Sequence, residues 1–393
     1  MDAVSAVQAL LTPAGRIDPY PLYDAVRAAG PAVPVGDDYV AVTGYAAADA
    51  VLRDPAYRVE DAEVHDLRYP GWREHRSLVS VASSMLSANA PEHERMRRLV
   101  SRAFTARRIA GLRTVIERQA AMLLDGMSGT VDFMPGLAYL LPVSVICELL
   151  GVPEEDREWF RPRAADLTQV LEFSLDLDEL DRADRACDEL EGYLGELVLR
   201  RRAAPGDDLT SALAASEGLT GTELLANLSL LLFAGFETTT NLLGNGLKIL
   251  FDHPAALDRL RAAPELAPAY VEEMLRFDSP VQLTSRWTRA ATTVGGVPLG
   301  AYGQILLLLG AANRDPDRFG HPDRFDPDRP GNTPLSFGGG AHFCLGAALA
   351  RLEAQVAFPL LLARFPKLAP AGEPVHRDRL TLRGYAHLPV SVD

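Results

Sequence analysis

The segment around residues 219–254 constrains the architecture more than any other. Leu219-Thr220-Gly221-Thr222-Glu223 places Thr220 at an N-cap and Glu223 three residues later, and no proline follows until Pro254. The pattern predicts one helix of roughly 30 residues, about 45 Å long. It is apolar almost all round, so it belongs inside a protein body rather than on its surface. With 393 residues, 48% of them hydrophobic, the chain is large enough to surround it. A membrane does not have to do so: the apolar runs 228–233 and 305–309 fall far short of the ~20 residues that span a bilayer.

Helical spacing recurs at 108–126, 137–150, 154–171 and 180–202, a further helix reaches about residue 278, and another runs from 345 to about 365. Strand signals are short and scattered. Residues 32–35 and 39–42 flank Gly36-Asp37-Asp38 as a hairpin, and 281–287, 304–309, 380–382 and 389–392 read as strands. The polar stretch 55–90 lacks clear periodicity and reads as a functional loop or lid. Length alone would allow two or three domains. No internal repeat or composition break divides the chain, so residues 1–393 are expected to form a single, mainly α domain with a smaller β region.

Thirty-nine basic against 53 acidic residues leave a net charge of −14, which repels nucleic acid, so no nucleic-acid partner is expected. Cys147, Cys187 and Cys344 are odd in number and widely spaced, so neither a disulfide framework nor a clustered zinc site is implied. The start, Met1-Asp2-Ala3, shows no secretory pattern, and a cytoplasmic location without membrane attachment is expected.

The chemistry centres on Phe337-Gly338-Gly339-Gly340-Ala341-His342-Phe343-Cys344-Leu345-Gly346. A cysteine here sits between a glycine-rich loop and a helix start, where free N–H groups favour a thiolate. A purely structural cysteine has no need of Gly338, Gly340 and Gly346, which let a backbone come close to something flat or bulky. Zinc needs four ligands, and Cys344 with His342 supplies two. A nucleophilic cysteine needs a histidine partner that sequence cannot position, and a phosphate loop needs Lys or Thr after its glycines. The arrangement resembles the cysteine-ligand loop of the cytochrome P450 family of haem-thiolate monooxygenases, in which such a thiolate is the axial iron ligand.

The resemblance extends, in order, over nearly the whole chain. Ala234-Gly235-Phe236-Glu237-Thr238 in the long helix resembles the family's oxygen-binding groove, where the helix widens locally. It makes Glu237 and Thr238 the expected catalytic acid and alcohol, with Ala234 and Gly235 beside the cofactor; the acid is Glu rather than Asp, which leaves carboxylate chemistry unchanged. Glu273 and Arg276, three apart on one helical face, resemble the Glu-x-x-Arg signature, and Arg324 in Pro322-Asp323-Arg324-Phe325 resembles its third member.

By the same likeness, haem b is the cofactor, with Cys344 on the iron, Phe337, Gly338 and Gly346 in the loop, and His93, Arg97, Arg286 and His342 facing the two propionates. The chemistry implied is insertion of one oxygen atom from O2 into a mid-sized, largely apolar small molecule of secondary metabolism, by hydroxylation or epoxidation. The pocket would be lined by 58–90, 168–180, 231–238, 281–285 and 385–387. The same haem could instead serve C–C coupling, desaturation or peroxide-driven oxidation, or a haem sensor, which has no need of an acid–alcohol pair. The chain lacks both a dinucleotide fingerprint and a cysteine cluster for iron and sulfur, so electrons are expected from a ferredoxin and a separate NAD(P)H-dependent ferredoxin reductase. Arg95, Arg98, Arg102, Arg107 and Arg108 offer a basic docking face on a monomer.

Overall fold

The Thr220 hydroxyl accepts the Glu223 N–H while the Glu223 carboxylate accepts the Thr220 N–H, and from this closed capping box a 32-residue helix runs unbroken from Gly221 to Asp252. In the computed structural model, which describes residues 1–173 and 177–393, this helix is the axis of the main hydrophobic core. In chain order the elements that matter to the site are β1 (Ala32–Gly36), β2 (Tyr39–Val42), α1 (Tyr45–Arg53), β3 (Tyr57–Arg58), α2 (Arg76–Ala82) and α3 (Glu92–Ala103). There follow α4 (Leu140–Leu150), α5 (Leu177–Ala203), the long helix α6 (Gly221–Asp252), α7 (Ala267–Phe277), β4 (Thr284–Thr288), β5 (Gln304–Leu307) and α8 (Ala347–Arg364).

One five-stranded sheet carries two smaller cores, in the order β1-β2-β5-β4-β3. The β1–β2 hairpin forms where Gly36-Asp37-Asp38 predicts it. β5 joins β2 in parallel, Val40 opposite Ile305, and β4 antiparallel, Arg286 opposite Ile305. The pairing with β5 delivers Arg286, and the side chain is buried. Among the described residues no helix is long and apolar enough to cross a membrane.

Three expectations change. The stretch 55–90 is not an irregular loop: it contains the helix Ala62–Arg68, capped by the Asp61 carboxylate, and α2. Its polar residues serve as caps and cross-links, which is why no amphipathic period shows. Residues 154–171 are helical only from Arg157 to Leu167, with a 3₁₀ turn on either side. Residues 380–382 form no strand beyond a single bridge from Leu382 to Val281. Their N–H groups are taken instead by the Glu172 carboxylate, which accepts from Leu380, Thr381 and Leu382 at 3.0, 2.9 and 3.1 Å.

Candidate active site

The cysteine loop is fastened before it reaches Cys344. The Arg276 fork meets the Glu273 carboxylate through Nε at 2.8 Å and Nη2 at 2.7 Å, with both side chains fully buried. The remaining Arg276 donors take the carbonyls of Asn313, Pro322 and Arg324 at 3.0, 2.8 and 3.1 Å. Asn313 then bonds Leu335 and Ser336, and Ser336 donates back to the Leu275 carbonyl of α7. The segment entering Phe337 is therefore tied to α7 by side chains, and the loop closes with the Cys344 N–H on the Phe337 carbonyl at 2.9 Å.

The third member of this network differs from the expectation. The guanidinium that joins Arg276 on Glu273 belongs to Arg329, whose Nε lies 3.3 Å from both carboxylate oxygens. Arg324 takes part only through its carbonyl, and its side chain is exposed. The meander repeats Asp-Arg at 323–324 and 328–329. Only the second doublet turns its arginine inward.

Gly340 has φ +64°, and a Cβ there would strike the Leu52 carbonyl oxygen at 2.2 Å. The bulky neighbour that requires this glycine is the end of α1. Gly235, expected beside the cofactor, is required by another contact: its Cβ would meet Ile146 of α4 at 2.9 Å. Phe337 packs under the Arg351 guanidinium, 4.4 Å from the ring centre.

Cys344 retains accessible surface, yet protein crowds its sulfur and pushes the thiol above its ordinary pKa. Burial is the largest influence; the N–H groups of Gly346 and Ala347 and the charges of Arg97 and Arg351 oppose it without prevailing. A thiolate here requires the charge of a coordinated cation.

Four basic groups gather beside Cys344. The His93 and His342 rings lie 4.0 Å apart, and the Arg97 Nη2 donates to the Phe343 carbonyl at 2.6 Å. Burial, then His93, Arg286 and Arg97, push the His342 pKa down to about 3. Burial brings Arg286 down to about 10 and also lowers Arg97 and, with Arg97's help, His93. Among the described residues none of the four has an ion-pair partner, and the buried His93 Nε2 has no hydrogen-bond partner. Two arginines and two histidine rings drawn together without an acidic partner form a donor set suited to an anion. Two propionates on a flat macrocycle, with a metal for the sulfur, fit this donor set.

On α6, the Thr238 and Thr239 hydroxyls donate to the Ala234 and Gly235 carbonyls at 3.2 and 3.4 Å, while the helix stays α throughout. The local widening expected at this point is absent. Glu237 does not face solvent. It is wholly buried and in contact with the Arg377 guanidinium, which also donates to the Tyr139 hydroxyl at 2.6 Å. Arg377 and Arg329 are the partners of Glu237 and Glu273 that sequence reasoning missed. A buried carboxylate signals that a cation must exist, but not where it comes from.

Of the docking arginines, Arg95 is committed to Glu223 and the Gly218 carbonyl, and Arg108 to Asp207. Arg98, Arg102 and Arg107 stay exposed.

The family model "Cytochrome P450" matches residues 159–386. The chain is 39% identical over 397 residues to 6-deoxyerythronolide B hydroxylase of Saccharopolyspora erythraea, covering 96% of each. It is 40% identical over 395 residues to the cytochrome P450 monooxygenase PikC of Streptomyces venezuelae, covering 95% of this chain and 91% of that protein. The crystal structure of P450BioI in complex with an acyl carrier protein carrying hexadec-9Z-enoic acid superposes with a TM-score of 0.92 at 36% identity, over 97% of this chain and all of that one. The chain thus belongs to the cytochrome P450 family, as a haem-thiolate monooxygenase whose cofactor is haem b.

Proposed function

We propose that this monooxygenase hydroxylates or epoxidises a mid-sized, largely apolar natural product of secondary metabolism, with electrons from a ferredoxin and a separate NAD(P)H-dependent reductase. The observation that carries the placement of the chemistry is the meeting of the Cys344 loop with two arginines and two histidines that lack acidic partners among the described residues. Cys344 would hold the iron, and His93, Arg97, Arg286 and His342 the propionates. The likeness to 6-deoxyerythronolide B hydroxylase supports the substrate class. Exposed Arg98, Arg102 and Arg107 give an acidic electron carrier a local landing place on a chain of net charge −14.

When bound, the haem supplies the redox chemistry that activates O2. The protein's part is to position, to keep water out and to deliver protons. Cys344 is delivered by a loop whose entry is tied to α7 through Asn313 and Ser336, so the sulfur is placed before any cofactor arrives. The Thr238 hydroxyl holds a proton at Oγ1, parked on the Ala234 carbonyl, and its lone pairs remain able to accept another. Glu237 lies one residue away, about 100° around the helix, held by Arg377. A proton reaching Thr238 from this side must pass through that pair.

The test replaces the sulfur by oxygen. Cys344→Ser swaps a soft thiolate for a hard ligand, so the reduced, CO-bound spectrum should lose its thiolate character and turnover should cease. Retention of both would refute the assignment.

A further inference from the structure

Two arginine charges act on the Cys344 sulfur, those of Arg97 and Arg351. Their settings differ. Arg97 belongs to the group that faces the propionates in the reading above, and its Nη2 is bound to the Phe343 carbonyl. Arg351, on α8, carries its own counter-ion. Its Nε and Nη2 both donate to the Glu272 carboxylate of α7, Nη2 at 3.1 Å. The two side chains keep only 28% and 26% of their surface exposed, so solvent screens this bidentate pair less than an open surface pair.

The position of Arg351 relative to the cysteine is fixed twice. Its Nη1 lies 3.4 Å from the carbonyl of Ala347, the first residue of α8, and the Ala347 N–H reaches the Cys344 carbonyl at 3.4 Å. Its guanidinium stands 4.4 Å from the centre of the Phe337 ring, and Phe337 supplies the carbonyl that receives the Cys344 N–H at 2.9 Å. One guanidinium therefore touches both residues that bond the Cys344 backbone. Neighbouring acids do not compete for it. Glu273, next along α7, accepts Arg276 and Arg329, and burial pushes the Glu353 carboxyl of α8 well above its usual range, which favours the neutral form. Glu272 thus decides whether Arg351 meets the sulfur as a bare charge or as half of a neutral pair.

We propose that Arg351 and Glu272 form a balanced charge pair that sets how readily the haem held by Cys344 accepts an electron, Arg351 favouring the reduced state and Glu272 restraining it. The proposal rests on the haem-monooxygenase reading above. One electron passes from the ferredoxin, which is oxidised, to the ferric haem, which is reduced, and no covalent bond forms or breaks. The added electron makes the iron and its sulfur ligand more negative. An unbalanced cation beside the sulfur therefore stabilises the reduced state, and an unbalanced anion destabilises it. With the two side chains joined, their contributions nearly cancel. Both are positioning residues in the electrostatic sense, acting on the iron through the cysteine.

The experiment is an anaerobic redox titration of the holoenzyme with dithionite and mediator dyes, followed by the haem absorption band. Glu272→Gln keeps the side-chain shape and leaves Arg351 unbalanced, so the equilibrium should favour the ferrous form about fivefold more, an upward shift of about 40 mV. Arg351→Gln leaves Glu272 unbalanced and should move the equilibrium about fivefold the other way. The double variant carries neither charge and should return to within about twofold of wild type. If Arg351→Gln fails to fold, Arg351→Lys with Glu272→Gln retains a cation without its acid and should reproduce the upward shift. A loop merely loosened by a lost ion pair displaces both single variants in the same direction and leaves the double variant displaced as well. Either result, or single variants that titrate as wild type, would overturn the charge pair. If the wild-type protein showed no ferric-to-ferrous transition at all, the haem reading itself would fall, and the charge pair with it.

Discussion

Replacing three arginines one at a time separates two accounts of how the cysteine loop is held. Arg276 makes two bonds to Glu273 and three to carbonyls of the meander, all without solvent. Arg276→Met keeps the volume but leaves those carbonyls unpaired and Glu273 dependent on Arg329, Asn332 and the Asp326 N–H. Breaking a buried pair costs about 3–5 kcal/mol. Each stranded carbonyl adds about 1 kcal/mol or more, so the total is at least about 6 kcal/mol. That rivals the whole stability of a typical domain, about 5–15 kcal/mol. The variant should therefore fail to accumulate as folded holoprotein. Arg329→Met removes longer contacts to Glu273, at 3.3 Å, and three carbonyl bonds near the surface, while the Arg276 fork survives. About 2–3 kcal/mol is expected. Arg324→Met leaves the carbonyl that Arg276 uses, and its exposed side chain should cost no more than about 0.5 kcal/mol. Urea unfolding midpoints of the holoproteins, read by far-ultraviolet circular dichroism and haem absorption, give the order. A loss in Arg324→Met equal to that in Arg329→Met would refute the reasoning, because only a side-chain role could produce it.

Thr238→Ala should keep haem and substrate binding but uncouple the cycle, with NAD(P)H oxidised and hydrogen peroxide released in place of product; full coupling at the wild-type rate would make the hydroxyl structural. Glu237→Gln should chiefly slow turnover, since an amide cannot shuttle a proton, and an unchanged rate would remove the carboxylate from the relay. Reversing Arg98 and Arg102 to Glu should weaken ferredoxin binding and flatten its dependence on salt, and wild-type affinity in that double variant would move the docking face elsewhere. Burial holds the Glu353 carboxyl well above its usual range, and its Oε2 has no partner. The folded chain thus retains a proton that the unfolded chain releases near pH 4.3, so the contribution is complete below that pH and is lost as pH rises towards the folded value. Glu353→Gln abolishes this loss, and its unfolding midpoint should gain on wild type as pH rises from about 4.5 to 8; parallel pH profiles would contradict the burial argument.

What the sequence makes legible is what short-range geometry decides. The Thr220–Glu223 capping box, the proline-free run behind it and the β1–β2 hairpin each depend on residues within a few positions, and each forms where the pattern places it. The Glu273–Arg276 pair is of the same kind, because three residues along a helix put both on one face. The 55–90 stretch is the counter-example. Its order comes from Asp61 at a helix start and from α5 carboxylates more than 100 positions away, so its composition alone reads as loop.

The site divides along the same line. Cys344 and its glycines announce themselves because the loop needs left-handed backbone at two closely spaced positions, Gly338 and Gly340. The requirement that Glu237 be compensated is equally legible, since an uncompensated buried carboxylate is too costly to keep. The identity of its partner is not. Arg377 reaches Glu237 only because the chain's last strands fold back against α6, and nothing local distinguishes it from Arg379 or Arg383, which serve Thr168 and Asp278 instead. Three arginines within seven residues thus take three different partners, two carboxylates and a hydroxyl, and the choice among them is made by the packing of α4, α6 and the 380–382 turn. A change to that packing, even one that leaves Glu237 and Thr238 intact, should therefore act on proton delivery through Arg377.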